Sequence, residues 1–333
     1  MSKPRFDPFT FRLSAFVLGA GLAAATLVQS GAGNAAQPYP QRPIRLLVPN
    51  PPGGATDNLA RMIAPVLGDA LRQTVVVDNR PGSNGNVSTE LTARAAPDGH
   101  TVLLAQDSQI VISPHLYRNL PFDTLKDVAP VASLVSTQML LAVHPSLPVK
   151  SVPEFVEHAR KASPPTPYAS IGNGSQHHLA MEMLKARAGI NLLHVPYKGG
   201  GPALVGLFAG EVSVMFGGSS AGPHVRSGKL RALALAGKRN EAYPGLPALS
   251  EFYPGLEVNP WLALFAPAGL PAQVITRLHG ETNRLLANPG LSARIRGLAL
   301  DPMVTTPGEF AAVIRADHAK YGKVVRAVGV RVD

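Results

Sequence analysis

Ile44-Arg45-Leu46-Leu47-Val48-Pro49-Asn50-Pro51-Pro52-Gly53-Gly54-Ala55-Thr56-Asp57 passes from an apolar strand through a proline-glycine turn to the start of a helix. Residues 44–48 read as a short buried strand. The diproline stops it, and Gly53-Gly54 let the backbone turn tightly with no Cβ in the way. From 57 to 71 the spacing predicts a helix, with Leu59, Met62, Ile63, Val66, Leu67 and Ala70 on one face. Thr56 is expected at the N-cap, and Asp57 as a negative charge in the first turn. Such a unit aims several unpaired helix N–H groups into the space beside the end of a strand. Anions bind there, drawn by peptide dipoles rather than by a Lys or Arg. The same residues would also serve as a βα turn with no further role.

Outward from this unit the pattern repeats. Residues 74–77 read as a second strand closed by Asp78-Asn79-Arg80-Pro81-Gly82, 87–95 as a helix, and 101–105 as a third strand after Pro97-Asp98-Gly99. Strands and helices alternating at short spacing predict a parallel α/β sheet with right-handed crossovers. Gln106-Asp107-Ser108 then stands at a strand's carboxyl end, where open α/β sheets bind ligands. After a looser stretch, 131–143 is a β-rich run, and Ser151-Val152-Pro153-Glu154 is a capping box opening a helix to about 161. A second α/β sheet follows: strands at 168–171, 192–195, 212–216 and 230–235, helices at 176–188 and 202–209. Glycine loops interrupt it at Gly172-Asn173-Gly174-Ser175, Tyr197-Lys198-Gly199-Gly200-Gly201 and Gly217-Gly218.

Residues 261–267 read as a strand that crosses back. The helices predicted at 272–286, 291–298 and 307–327 have no α/β unit of their own and must pack on the first sheet. Domain 1 is therefore expected to be discontinuous, 37–140 plus 262–333, with domain 2 at 141–261. Crossings near Leu141 and Trp261 would form a two-strand hinge. With the lobes face to face, helix N-termini from both would converge on one cleft.

Lys3, Arg5 and Arg12 precede an Ala/Gly/Leu-rich run at 13–28 and the small residues Gly33-Asn34-Ala35-Ala36, the order of a secretory signal peptide over 1–36. The run is shorter than the ~20 apolar residues of a spanning helix. Export to the periplasm after cleavage near Ala36 is expected. Loss of this leader lowers the formal charge from +10 to +8. The basic residues form no run longer than two and show no aromatic interleaving, which argues against nucleic acid as a partner and suits attraction of small anions. The absence of cysteine excludes a disulfide framework, a thiol nucleophile and a lipid-anchored Cys.

Gly218-Ser219-Ser220-Ala221-Gly222 matches the Gly-x-Ser-x-Gly elbow of hydrolases, with Ser220 as nucleophile and Asp301 and His318 as partners. Pro223 and the short stretch after it make a poor following helix. Adjacent His177 and His178 point about 100° apart on a helix and cannot share one metal ion from one face. His178 reads as a neutral donor beside the cleft or as a packing residue. Lys198 is the one base in a candidate loop, and Trp261 reads as hinge packing. No phosphate-loop or dinucleotide fingerprint is present, and neither cofactor nor metal is expected.

Taken together, Pro51-Pro52-Gly53-Gly54-Ala55-Thr56-Asp57, Asn79-Arg80-Pro81-Gly82, Ala96-Pro97-Asp98-Gly99, Gly172-Asn173-Gly174-Ser175 with His178-Leu179-Ala180, Val195-Pro196-Tyr197-Lys198-Gly199 and Phe265-Ala266-Pro267-Ala268-Gly269 resemble the Bug family, periplasmic receptors of tripartite tricarboxylate transporters. The likeness runs in order through the mature chain. It implies a two-domain periplasmic-binding-protein (Venus flytrap) α/β fold, monomeric and without catalytic residues. Such a receptor closes on a small carboxylate and then docks on membrane subunits of a transporter or on a sensor protein. Carried over residue by residue, the ligand site would comprise Pro52, Gly53, Gly54, Ala55, Thr56 and Asp57 in the first loop, and Asp107 and Ser108 after the third strand. In the second lobe it would comprise Ser170, Gly174, Ser175 and His178, then Tyr197, Gly199 and Gly200, and finally Gly217. The sequence departs from the family's usual pattern at three places. Asn50 stands in place of Phe, Gln106-Asp107 in place of small neutral residues, and Gly217-Gly218 in place of Asp or Asn. The departure at Asp107 is expected to disfavour a second carboxylate or to favour a ligand bearing an amine, amide or hydroxyl.

Overall fold

The computed structural model describes residues 39–332; the expected leader lies outside them. Residues 42–332 form one compact unit built on two sheets. The opening unit folds as read, with β1 (Ile44–Val48) followed by α1 (Ala55–Leu71). β1 pairs in parallel with β2 (Val75–Asn79) on one side and with β3 (Thr101–Gln106) on the other. α2 (Asn86–Ala93) lies between β2 and β3 in sequence, and α3 (Ser113–Leu116) follows a π-helical turn at Ser108–Ile112.

The β-rich run at 131–143 is two strands, not one. β4 (Val128–Thr137) joins the first sheet and β5 (Leu140–Val143) the second, so the crossing lies at Gln138-Met139 and Leu141 is already inside β5. No Gly or Pro marks the break; only the partners of each half distinguish them. The second sheet is completed by β6 (Thr166–Ser170), β7 (Leu192–Pro196), β8 (Val214–Gly217) and β9 (Arg231–Leu235), in the order β7-β6-β8-β5-β9. Its helices are α4 (Val152–Lys161), α5 (Gln176–Ala188), α6 (Gly200–Phe208) and the short α7 (Gly222–Arg226).

The chain returns through β10 (Trp261–Pro267), which enters the middle of the first sheet, antiparallel to both β3 and β4. Every residue of β10 is buried, as a strand flanked by neighbours and covered on both faces requires. With β11 (Leu300–Pro302) at the far edge, the first sheet runs β11-β4-β10-β3-β1-β2. Of the last helices, α8 (Ala272–Leu286), α9 (Pro289–Gly297) and α10 (Pro307–Val328), both α8 and α10 pack on β4, hence on the first sheet as expected. The crossing segments are tied together: the Thr137 N–H donates to Pro260 O (2.9 Å) and the Ala236 N–H to Met139 O (2.8 Å).

Two polar clusters hold the turns at the strand ends. Asp57 is buried, and its carboxylate accepts from the Gly53 N–H (2.9 Å), Arg61 Nε (2.9 Å) and Asn79 Nδ2 (2.9 Å). Asn79 also donates to Asn50 O at 2.9 Å, so the loop is stapled to the end of β2. Burial alone would raise the Asp57 carboxyl, but these hydrogen bonds, led by Arg61, outweigh it and hold it at about 2. In the second lobe, Gly174 adopts φ 71°, a left-handed conformation that favours glycine, and its N–H donates to His178 Nδ1 at 3.1 Å. His178 stacks on His194 (centroids 4.0 Å apart, planes 4° apart), which stacks on Tyr168 and pairs through Nε2 with Ser170 Oγ at 2.7 Å. Burial, then the neighbouring His194, pushes the His178 imidazole down to about 4.

A depressed imidazole stabilises the fold fully above its unfolded value, near 6.5, and loses that contribution as pH falls toward 4. Chemical denaturation across this window is expected to show stability falling with acidification. His178→Asn, which retains an acceptor for Gly174, should reduce the slope by up to about 1.4 kcal/mol per pH unit; an unchanged slope would contradict the reading. Asp57→Ala leaves three donors without their acceptor, and a loss of about 1–3 kcal/mol is expected in the same assay at neutral pH.

Candidate functional site

Three helix N-termini reach one cleft between the sheets. Ala55 and Thr56 open α1, Ser175 and Gln176 open α5, and Gly200 opens α6; all five line a cavity of about 240 Å³. The first N–H groups of a helix have no intrahelical partner, and the macrodipole adds partial positive charge there. The cavity lies below the roughly 300–1,000 Å³ of drug-sized sites and suits a small acid. Among the described residues that line it there is no Lys or Arg, and the only carboxyl is Asp107. A larger groove, about 1020 Å³, runs outside between α1 and β2, but it is lined from those two elements and the turn joining them alone.

Of the residues expected at the site, Ala55, Thr56, Asp107, Ser108, Ser175 and Gly200 line the cleft. Gly54, not Thr56, is the N-cap of α1, and it makes no side-chain cap. The Thr56 hydroxyl instead accepts from Gln106 Nε2 at 3.0 Å, across 50 positions of sequence. The remainder do not line it. Pro52, Gly53 and Gly54 are exposed on the turn leading into α1. Asp57, Ser170, Gly174 and His178 belong to the two clusters that brace the turns. Tyr197 packs against Gly206 and donates to Glu211 Oε2 at 3.0 Å, while Gly199 N-caps α6. Gly217 lies at the end of β8, where an added Cβ would sit 2.4 Å from that of Ala221. That contact leaves no room for an Asp or Asn at this position.

Other lining residues stand outside the expected site set: Asn84, Gln176 and His177, with Leu300 at the outer strand, while Gln106, expected only at a ligand-binding strand end, also lines the cleft. The helical offset between His177 and His178 is the reason for one of these. His178 turns into the lobe and His177 faces the cleft, its imidazole held down to about 4 by burial. Trp261 does more than pack at the crossing. It lines the cavity, meets Phe310 edge to face at 5.1 Å and donates from Nε1 to Asp317 Oδ2 at 3.0 Å.

Asp107 is the electrostatic outlier. It is 1% exposed, and its carboxyl caps the π-helical turn by accepting from the Ser108 N–H at 2.9 Å. Its Oδ2 has no hydrogen-bond partner among the described residues, nor have Gln176 Nε2 and His177 Nδ1. Burial and then the nearby Asp317 carboxylate push the Asp107 carboxyl well above its ordinary range. Lys320, which would offset this, donates to Asp317 Oδ1 at 2.6 Å.

The hydrolase pattern does not assemble into a triad. Residues 218–222 form a 3-10 turn running into α7. His318 packs against His115 at 4.3 Å, and Asp301 accepts from Asn240 Nδ2 at 3.0 Å; among the described residues neither is hydrogen-bonded to Ser220.

Comparison with known proteins agrees with this architecture. Residues 59–330 match the tripartite tricarboxylate transporter family receptor, TctC. The protein BugT of Bordetella pertussis is 34% identical over 321 residues, 95% of this chain and 96% of BugT. Among solved structures, R. palustris Rpa4515 with adipate superposes with a TM-score of 0.78 at 30% identity, covering 88% of this chain and 99% of that one. MatC (Rpa3494) from Rhodopseudomonas palustris with bound malate gives 0.74 at 28% identity, covering 86% and 100%. With a profile match over most of its length and a relative alike from end to end, the chain belongs to the tripartite tricarboxylate transporter receptor family.

Proposed function

We infer that the protein is a periplasmic solute-binding receptor that captures a small carboxylate-bearing ligand between two lobes. The observation that carries this reading is the convergence of three helix N-termini, from both sides of one cleft, with no Lys or Arg among the described residues that line it. The relatives bound to adipate and malate support the same ligand class. The lobes divide at 39–138 plus 261–332 and 139–260, since Leu140 pairs within the second sheet and Trp261 within the first, and the tied crossings act as the hinge. A ligand touching both lobes favours the closed arrangement over the open one by its differential contacts. Each dipole end contributes roughly 0.3–1 kcal/mol, and each N–H bond to a charged carboxylate about 1.5–3 kcal/mol. Five or six contacts, less ordering costs, reach about −8 kcal/mol, or micromolar affinity.

The ligand carboxylate sits at Ala55-Thr56 and Ser175, and the distal part is read by Asp107, Ser108 and Gly200. Pro52, Gly53, Gly54, Asp57, Ser170, Gly174, His178, Tyr197, Gly199 and Gly217 shape the loops around it. The leader directs the chain to the periplasm and is cleaved near Ala36. The closed monomer then delivers its ligand to the membrane subunits of a tripartite transporter or presents itself to a sensor protein. It is not an enzyme.

Thermal-shift screening of small organic acids is expected to find ligands that raise the melting temperature by several degrees. Saturation at one hundred times the Kd adds about 2.7 kcal/mol. The same acids should contract the protein in solution scattering, and their methyl esters should do neither. Equal shifts from acid and ester would contradict the reading. A fluorophosphonate probe should leave Ser220 unlabelled; labelling there would favour a hydrolase instead.

A further inference from the structure

The cleft holds three polar side-chain atoms with no partner among the described residues, and they differ in kind. Asp107 Oδ2 belongs to a carboxyl on the first lobe that is 1% exposed. Gln176 Nε2, in the first turn of α5, belongs to the second lobe; the amide stands close enough to Asp107 to favour its ionised form, though neither Gln176 Nε2 nor Asp107 Oδ2 has a partner at normal hydrogen-bond geometry. His177 Nδ1 is on the same turn. A buried polar atom left unpaired costs its full desolvation, so a ligand that satisfies these atoms gains what a purely apolar or purely anionic group does not.

A carboxylate only accepts hydrogen bonds. Set against an ionised Asp107 it meets a second negative charge, with no cationic side chain among the described lining residues to offset it, and it is accepted only where Asp107 takes up a proton. An ammonium only donates, and would face Gln176 Nε2 donor to donor. A hydroxyl or a primary carboxamide does both: it donates to Asp107 Oδ2 and accepts from Gln176 Nε2. It also suits Asp107 whether that carboxyl carries a proton or not, which matters where burial and Asp317 raise its proton affinity.

We propose that Asp107, with Gln176 opposite it, is the specificity-determining pair of this receptor. It selects a ligand bearing one carboxylate and, at its distal end, a neutral hydroxyl or carboxamide, over the plain dicarboxylate of equal length. This rests on the carboxylate-receptor reading and names the ligand subclass within it. The pair also joins the lobes through the ligand, because one member comes from each side of the cleft.

The test is isothermal titration of the full mature chain with matched series: succinate, succinamate, 4-hydroxybutyrate and 4-aminobutyrate, and the same set one methylene longer. The amide or hydroxy acid is expected to bind at least tenfold more tightly than the diacid of its series, with the amino acid weaker than the amide. Asp107→Asn keeps the size and capping ability of the side chain but turns a donor toward the ligand. It should cut the preference for amide over diacid at least tenfold, and Gln176→Leu should weaken the amide more than the diacid. Circular dichroism melts establish that both variants fold. Diacids binding as tightly as their amides, a preference that survives Asp107→Asn, or an amino acid as the tightest ligand would each overturn the proposal. Failure of every carboxylate in the panel and in the wider thermal-shift screen would overturn the receptor reading along with it, whereas tight diacid binding would leave that reading standing.

Discussion

The constraint on which the structure depends is the unpaired backbone at the start of a helix. The first turn of α1, of α5 and of α6 each leaves N–H groups without intrahelical partners, and the fold directs all three into one cleft. In water these groups are solvated at little cost. Between two closed lobes they need an acceptor, and a small anion supplies several lone pairs at once. The cleft thus presents positive dipole ends held in place by two sheets. Among the described residues its lining has no Lys or Arg, and the first lobe offers Asp107 there.

Dipoles serve only if the loops that carry them are rigid, and polar side chains packed behind each loop perform that task. Asp57, Arg61 and Asn79 hold the Pro-Gly-Gly turn from behind, and His178, His194, Tyr168 and Ser170 hold the Gly172–Ser175 turn in the same way. Gly174 approaches Leu116 of the first lobe so closely that an added Cβ would lie 2.5 Å from its Cδ1, so the second loop is also set by the other lobe. The crossings at Gln138-Met139 and ahead of Trp261 are tied by backbone bonds, and Trp261 itself runs from the hinge into the cavity wall.

Local patterns carried much of this. The β1 turn and α1, the all-apolar β10 and the three closing helices were legible because each pairs a hydrophobic period with Gly, Pro or capping signals. The division of 131–143 between two sheets was not, because no local breaker separates Thr137 from Leu140 and the choice is made by distant strands. The same holds at the site. A polar residue in a glycine loop can face the ligand or brace the loop, and sequence spacing does not distinguish Thr56, which lines the cleft, from its neighbour Asp57, which does not. His177 and His178 show the limit most clearly. Their divergence on the helix was readable, but which one turns toward the cleft depends on how α5 sits against the first lobe.

An amide chemical-shift titration of the isotope-labelled protein with a small organic acid is decisive. The N–H signals of Ala55, Thr56, Gln176, His177 and Gly200 should move together, with one shared affinity, because one anion touches helix ends on both lobes. Shifts confined to a single lobe, or centred away from these N-termini, would contradict it.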